Sequence, residues 1–122
     1  MGKFVIHPTN TGFKFNLKAS NGETIAVSEV YKTLASCKKG AASVAKNAPV
    51  ANVQDLTEGQ EGVQHPKFEL YQDKAGEFRF RLKATNGQIV AVSEGYTTKR
   101  ACENGIASVQ KNVVDAPVVV EE

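Results

Sequence analysis

Phe13-Lys-Phe-Asn-Leu-Lys-Ala-Ser-Asn-Gly22 recurs as Phe78-Arg-Phe-Arg-Leu-Lys-Ala-Thr-Asn-Gly87, and Ala26-Val-Ser-Glu29 with Tyr31 recurs as Ala91-Val-Ser-Glu94 with Tyr96. At a constant offset of 65, positions 13–47 share 20 identities in 35 with positions 78–112. The chain is therefore a tandem repeat, and whatever fold it adopts is built twice. The opening segments Lys3-Phe-Val-Ile6 and Lys67-Phe-Glu-Leu70 align at an offset of 64, so the second copy carries one extra residue in its first loop. All six Phe fall into matched pairs: Phe4 with Phe68, Phe13 with Phe78, Phe15 with Phe80. Aromatics that repeat in both halves read as core rather than as a ligand platform.

Within each copy the periods change in order. Phe4 and Ile6, or Phe68 and Leu70, alternate as a short strand. A loop with Gly12 or Gly76 leads to a second strand whose Phe13, Phe15, Leu17 and Ala19 face one way and Lys14, Asn16 and Lys18 the other. In the second copy Phe78, Phe80 and Leu82 face inward and Arg79, Arg81 and Lys83 outward. Asn-Gly then marks a hairpin. A two-residue loop would leave Ile25 and Val27 on the basic face. A three-residue loop, Ser20-Asn21-Gly22 with Gly left-handed, sets Leu17 against Ile25 and Phe15 against Val27, and is the preferred reading.

A connector, Ser28 to Lys32 or Ser93 to Thr97, delivers the chain to Thr33 or Thr98 as helix N-caps. Helices run to about Asn47 and Asn112, with Cys37, Gly40, Val44 and Cys102, Gly105, Val109 on one face together with Ala41 and Ile106. A glycine inside a helix costs about 1 kcal/mol against Ala, so Gly40 and Gly105 are expected to admit a close approach of the sheet or of the other helix. Ala48-Pro49-Val50 and Ala116-Pro117-Val118 are each the expected start of a fourth short edge strand.

The expected class is α+β: a duplicated β-β-β-α repeat forming antiparallel sheet with two helices and pseudo-two-fold symmetry. A unit of about 50 residues buries little surface alone, so the copies share one core. Residues 1–47 are the first repeat, 48–66 a linker, 67–112 the second repeat and 113–122 an acidic tail. Either one continuous sheet carries both helices on one side, or two sheets close against each other; the closed form is the expectation.

The chain of 122 residues is 41% hydrophobic and 23% charged, which excludes disordered and collagen-like classes and a large multidomain enzyme. Its net charge of +2 is far from that of a dedicated nucleic-acid binder. The four segments just bounded carry +5, −3, +3 and −3 in turn, so basic blocks alternate with acidic connectors. No stretch has the length of a membrane span or of a signal peptide, and Ile6 occupies the position where a myristoylation motif needs Ser or Thr. A cytoplasmic location, no membrane association and a monomer with pseudo-dimeric repeats are expected.

The pattern Phe-x-Phe-x-Leu-Lys-Ala-x-Asn-Gly, then Ala-x-Ser-Glu-x-Tyr, then Asn104-Gly-Ile-x-Ser-Val-x-Lys-Asn112 resembles the YegP-like family of small uncharacterised bacterial and archaeal proteins. The resemblance covers both copies. The first copy departs from it in the helix, where Lys39-Gly40-Ala41 stands for Asn104-Gly105-Ile106. It implies the duplicated fold, with single-copy relatives reaching the same arrangement by dimerising. It implies no activity and lends no catalytic residue.

The residues themselves offer little to an enzyme. His7 and His65 both precede Pro and do not match each other, and with Cys37 and Cys102 they lack metal-ligand spacing. The two Cys read as small buried residues, neither in a Cys-x-x-Cys pair. Glu29 and Glu94 have no evident partner; the Ser, Glu and Thr of their connector read as turn and cap residues, with Tyr as an anchor. No catalytic residue, metal or cofactor is expected.

Two features exceed what the fold demands. The first is the outward stripe of Lys14 and Lys18 with Arg79, Arg81 and Lys83, a basic surface able to meet phosphates if the two second strands lie close. Only Tyr71 offers an outward ring beside it, so reading of single-stranded bases by stacking is not expected. The second is Thr98-Lys99-Arg100 at a helix start, where cations oppose the dipole unless an anion binds; the first copy has Thr33-Leu34-Ala35 there. The expected function is thus a non-enzymatic module that binds a phosphate or nucleic-acid partner weakly. The alternative is a structural or protein-interaction module using its edge strands.

Overall fold

A computed structural model describes residues 2–121; Met1 and Glu122, the outer ends of the first repeat and of the acidic tail, lie outside the described residues. In chain order the elements are β1 (Lys3–Pro8), β2 (Phe13–Lys18), β3 (Thr24–Val27), α1 (Leu34–Asn47) and β4 (Asn52–Asp55), then β5 (Lys67–Gln72), β6 (Phe78–Lys83), β7 (Ile89–Val92), α2 (Lys99–Asn112) and β8 (Val118–Val120). The class is α+β and the unit is duplicated.

All eight strands form one sheet in the order β4-β5-β6-β7-β3-β2-β1-β8. The expected closed pair of sheets is thereby corrected. β3 and β7 meet antiparallel at Val27 and Val92, and this joint satisfies backbone groups that two separate sheets would leave on open edges. The pseudo-two-fold passes through this joint. Both helices lie on the same side, α1 over β2 and β7, α2 over β6 and β3. One core results, in which Phe4, Ile6, Phe15 and Leu17 join Phe68, Leu70, Phe80 and Leu82 beneath both helices. Each copy holds the same aromatic stack, Phe4 edge-on to Phe15 at 5.6 Å and Phe15 parallel to Tyr31 at 6.4 Å, matched by 5.7 Å and 6.4 Å in the second. Burial of each phenyl ring contributes about 1.5–3 kcal/mol.

The fourth strands are exchanged. After α1, β4 pairs in parallel with β5 of the second repeat, and after α2, β8 pairs in parallel with β1 of the first. Helix length accounts for this: 14 residues span about 21 Å, close to the ~19 Å of four strand spacings that separate β3 from β4. Residues 48–50 form a 3-10 turn with Pro49 in its first turn, so the first of these strands begins at Asn52, later than expected; the second begins at Val118.

Gly22 stands at φ +87 with its N–H donating to Ala19 O at 2.9 Å, and Ala19 N–H donates to Glu23 O at 2.8 Å. This is the three-residue loop expected at Ser20-Asn21-Gly22. The register beyond it differs from expectation: Leu17 faces Ala26 and Asn16 faces Val27, because a bulge intervenes between Leu17 and Lys18. The extra residue lets Ile25 touch the core beside the buried Ala26 while Val27 turns to the uncovered face. The same bulge recurs between Leu82 and Lys83.

Thr33 and Thr98 cap their helices, accepting from Ser36 N and Ala101 N at 3.1 Å each. Thr98→Ala is expected to lower stability by about 1 kcal/mol with unchanged denaturant m-value, read from the urea midpoint; no shift would show that the cap is idle. The last helical residue of each copy is held by a matched Ser one turn back, and in the first copy it also meets the other repeat. Asn47 donates to Ser43 O and Oγ, as Asn112 does to Ser108, and Thr85 of the opposite Asn-Gly hairpin donates to Asn47 Oδ1 at 3.1 Å. Among the described residues no helix is long and apolar enough to cross a membrane.

Candidate functional site

The helices leave one face of the sheet uncovered, and strand alternation decides what it carries. Because Phe15, Leu17, Phe80 and Leu82 turn inward, Lys14 and Lys18 and also Arg79, Arg81 and Lys83 emerge together on this face. The two second strands are not adjacent, however. β3 and β7 lie between them, so the stripes stand about three strand spacings, ~14 Å, apart with Val27 and Val92 between.

The two stripes differ in their neutralisation. Glu69, 5% exposed, receives Arg81 Nε at 2.6 Å, Lys83 Nζ at 3.3 Å and Lys67 Nζ at 3.4 Å. Burial pushes its carboxyl up, but hydrogen bonds and charge from Arg81 and Lys83 outweigh burial and hold it below the ordinary carboxylate range. Lys67 also donates to Gln54 Oε1, whose own amide donates to Gln60 O at 2.7 Å. Arg79 meets Asp73 at 2.7 Å. Arg81 lies over the Tyr71 ring at 4.7 Å, which occupies one face of the outward aromatic. In the first repeat the positions matching Glu69 and Arg81 are Val5 and Asn16, and Lys14 and Lys18 form no ion pair among the described residues.

Thr98, Lys99 and Arg100 lie at the start of α2, on the helix side and away from the stripes. Thr98 is occupied by its own helix. Lys99 reaches Asp55 at 3.0 Å and Glu58 at 3.1 Å in the acidic linker, which raises its pKa through those hydrogen bonds and charges. The exchange of strands explains why only one copy has this cation: Asp55 ends β4 beside α2, whereas the matching position in β8 is Val120 and the residue matching Lys99 is Leu34. Arg100 is exposed.

The connector follows the sequence reading in its Ser, Thr and Tyr residues, whereas Glu29 and Glu94 are exposed and their side chains make no hydrogen bond among the described residues. Ser28 Oγ accepts from Phe15 N and donates to Glu29 O, and Ser93 does the same with Phe80 and Glu94. Tyr31 and Tyr96 anchor it by packing their hydroxyls on the helix at Gly40 and Gly105, so what these glycines admit is a tyrosine ring rather than a strand or the other helix. Cys37 and Cys102 are buried free thiols, and burial pushes the second up to about 11. The acids Glu69, Asp73 and Asp55, which decide the electrostatics of the face and helix start, escaped the sequence reading. The signal for Glu69 was present: antiparallel pairing of the first two strands sets it opposite Arg81.

With this geometry in hand, comparison with known proteins is informative. The pattern described as Domain of unknown function (DUF1508) matches residues 9–55 and 73–119, each match running from the second strand of a copy through its exchanged fourth strand. The chain belongs to the DUF1508 family. Among its DUF1508 relatives, the UPF0339 protein YegP of Yersinia pestis is 42% identical over 113 residues, 92% of this chain and 88% of that one. A UPF0339 protein of Bordetella pertussis is 44% identical over 117 residues, covering 95% and 92%. A UPF0339 protein of Treponema denticola is 58% identical over 53 residues, 43% of this chain but 91% of its own length, the extent of one DUF1508 repeat. The solution structure of Escherichia coli yegP, titled a protein of unknown function, superposes with a TM-score of 0.78 at 37% identity over 98% of this chain and 92% of that one. The resemblance read from the repeats is thus confirmed.

Proposed function

We propose that the protein is a cytoplasmic, monomeric, non-catalytic module that binds a phosphate-rich partner, the backbone of nucleic acid, on the uncovered face of its sheet. One observation carries the reading: among the described residues Lys14 and Lys18 stand on that face without an ion-pair partner, although the fold asks for no charge there. Around them the face remains positive, with Lys3, Lys14, Lys18, Lys67, Arg79, Arg81 and Lys83 outnumbering its carboxylates, Glu69, Asp73 and Glu29. The centre of the face is Val27 and Val92 rather than aromatic, so contact is with phosphates and not by stacking of bases. Glu69, Asp73 and Asp55 are engaged in ion pairs and the thiols are buried, so the non-catalytic part of the reading rests on groups already held within the protein.

The test is an amide NMR titration with short double- and single-stranded DNA at low salt, repeated at high salt. Shifts at Lys14, Lys18 and Lys83 that vanish with salt are expected, with Lys14→Glu reducing the slope of log K against log salt by about 0.9 per phosphate lost. Unmoved amides, or binding indifferent to salt, overturn the reading.

A second reading has its own observation. Val118, Val119 and Val120 of the edge strand β8 are 43%, 42% and 39% exposed, an uncharged edge on which a partner strand can add. Binding of a protein partner that survives high salt and is lost on Val119→Pro would favour this reading over the first.

A further inference from the structure

Exchange of the fourth strands draws each helix beside the Asn-Gly hairpin of the other repeat, and a cleft runs between them. Along α1 it passes Lys46 and Ser43, then Lys39 and Ser36, with Asn86 and Gln88 of the β6–β7 hairpin opposite. It continues past Tyr31 to Glu29 and Lys83, where it opens at the sheet. Its middle stretch alone holds about 370 Å³, within the range of small-molecule sites, and both repeats are needed to form it.

Symmetry supplies a control within the same molecule. The counterpart cleft runs between α2 and the first repeat's hairpin and is lined by Asn104, Ser108 and Lys111 with Ser20 and Asn21. At the offset of 65, Lys39 becomes Asn104, Ser36 becomes Ala101 and Gln88 becomes Glu23. The first cleft thus carries Lys39, Lys46 and Lys83 against Glu29, a net +2; the matching positions of the other half are Asn104, Lys111, Lys18 and Glu94, with Glu23 in place of Gln88, a net zero, and of these Asn104 and Lys111 line the counterpart cleft. Lys83 is shared with Glu69, whereas Lys39 and Lys46 form no ion pair among the described residues. The backbone is the same in both, so the added charge and donors of the first cleft are no requirement of the fold.

We propose that the cleft between α1 and the β6–β7 hairpin, and not its counterpart, binds a small phosphorylated molecule with a hydroxyl-rich body. Cations at Lys39 and Lys46 take the phosphate, as point charges on flexible stems. Ser36, Ser43, Asn86 and Gln88 offer both donors and acceptors to hydroxyl groups. Tyr31 presents its hydroxyl, which makes no hydrogen bond among the described residues, while the ring itself stacks on Phe15. Phe15 takes one face of the Tyr31 ring, so the cleft offers a flat base at most the other, and its hydroxyl, amide and ammonium lining favours a sugar phosphate over a nucleotide.

This site meets the sheet face at Lys83, and the probes separate the two. In an amide NMR titration of the full chain, ribose 5-phosphate is expected to move Tyr31, Lys39, Ser43 and Asn86 along a saturating curve and to leave Tyr96, Asn104, Ser108 and Asn21 unmoved. Lys39→Asn, which installs the second repeat's residue at an exposed position, is expected to weaken binding about tenfold or more without changing the thermal midpoint. Asn104→Lys with Glu23→Gln is expected to bring the counterpart's amides into the response. Equal movement in both clefts, movement in neither, unchanged affinity in Lys39→Asn, or tighter binding of AMP than of ribose 5-phosphate overturns the proposal. DNA-induced shifts at Lys14, Lys18 and Lys83 that vanish with salt would then leave the sheet-face reading standing.

Discussion

Gly105→Ala is expected to destabilise the protein by about 2 kcal/mol, although the same change in an exposed helix stabilises by about 1 kcal/mol. A methyl group at this position meets Tyr96 Oη at 2.5 Å and Cζ at 2.9 Å, with Phe80 Cε2 at 3.1 Å behind. The ring cannot simply swing away, because it stacks on Phe80 at 6.4 Å. Gly40→Ala meets Tyr31 Oη and Cζ in the same way, and the same loss is expected. Urea unfolding reads the effect. The contact itself is isolated by a double-mutant cycle: Tyr96→Leu removes the phenol tip, so Gly105→Ala introduced on that background should cost less than it does alone. An Ala variant as stable as the parent, or a cycle without coupling, would show that the tyrosine does not need the glycine.

Glu69→Val is expected to cost about 3 kcal/mol, the typical penalty for removing one partner of a buried ion pair. It would leave Lys67, 9% exposed, facing Arg81 and Lys83 with no acid between them. The first repeat shows what relieves this. There Val5 sits opposite Asn16, so Glu69→Val with Arg81→Asn should recover much of the loss by removing one of the crowded cations. If the double variant is no better than the single one, the loss comes from packing and not from charge. The pH dependence follows from the same pairing. The folded carboxyl titrates below its ordinary value of 4.5, so its contribution is complete above that value and disappears as pH falls through the lower, folded one. The parent should therefore lose stability on acidification below pH 4.5, and Glu69→Val should show a flatter profile.

Much of the fold was legible because the repeat states each signal twice. Alternation at Phe13, Phe15 and Leu17 set the strand, and Gly22 after Asn21 set the loop, whose left-handed φ of +87 matches the expected geometry. The bulge after Leu17 was not legible, since an inserted residue keeps Ile25 on the core and leaves the apolar pattern almost unchanged. Lys14 and Lys18 could be assigned to a face by parity alone. Whether they or Arg79 and Arg81 remain free depended on Glu69 and Asp73, which lie on a neighbouring strand and loop. Lys99 looked like an anion site for the same reason: its partners Asp55 and Glu58 are remote in sequence and arrive only through the exchanged strand.

By itself, then, the sequence determined the local elements, the faces of the first two strands of each repeat and the duplication, because period, capping and turn chemistry act over a few residues. Only the tertiary structure decided that the halves join at Val27 and Val92 in one continuous sheet, that their last strands are exchanged, and that a cleft opens between each helix and the opposite hairpin. The apolar pattern of either half can bury itself in a closed pair of sheets or an open one. The choice rests on backbone edges and on how far a 14-residue helix carries the chain across the sheet, quantities that belong to the assembled molecule.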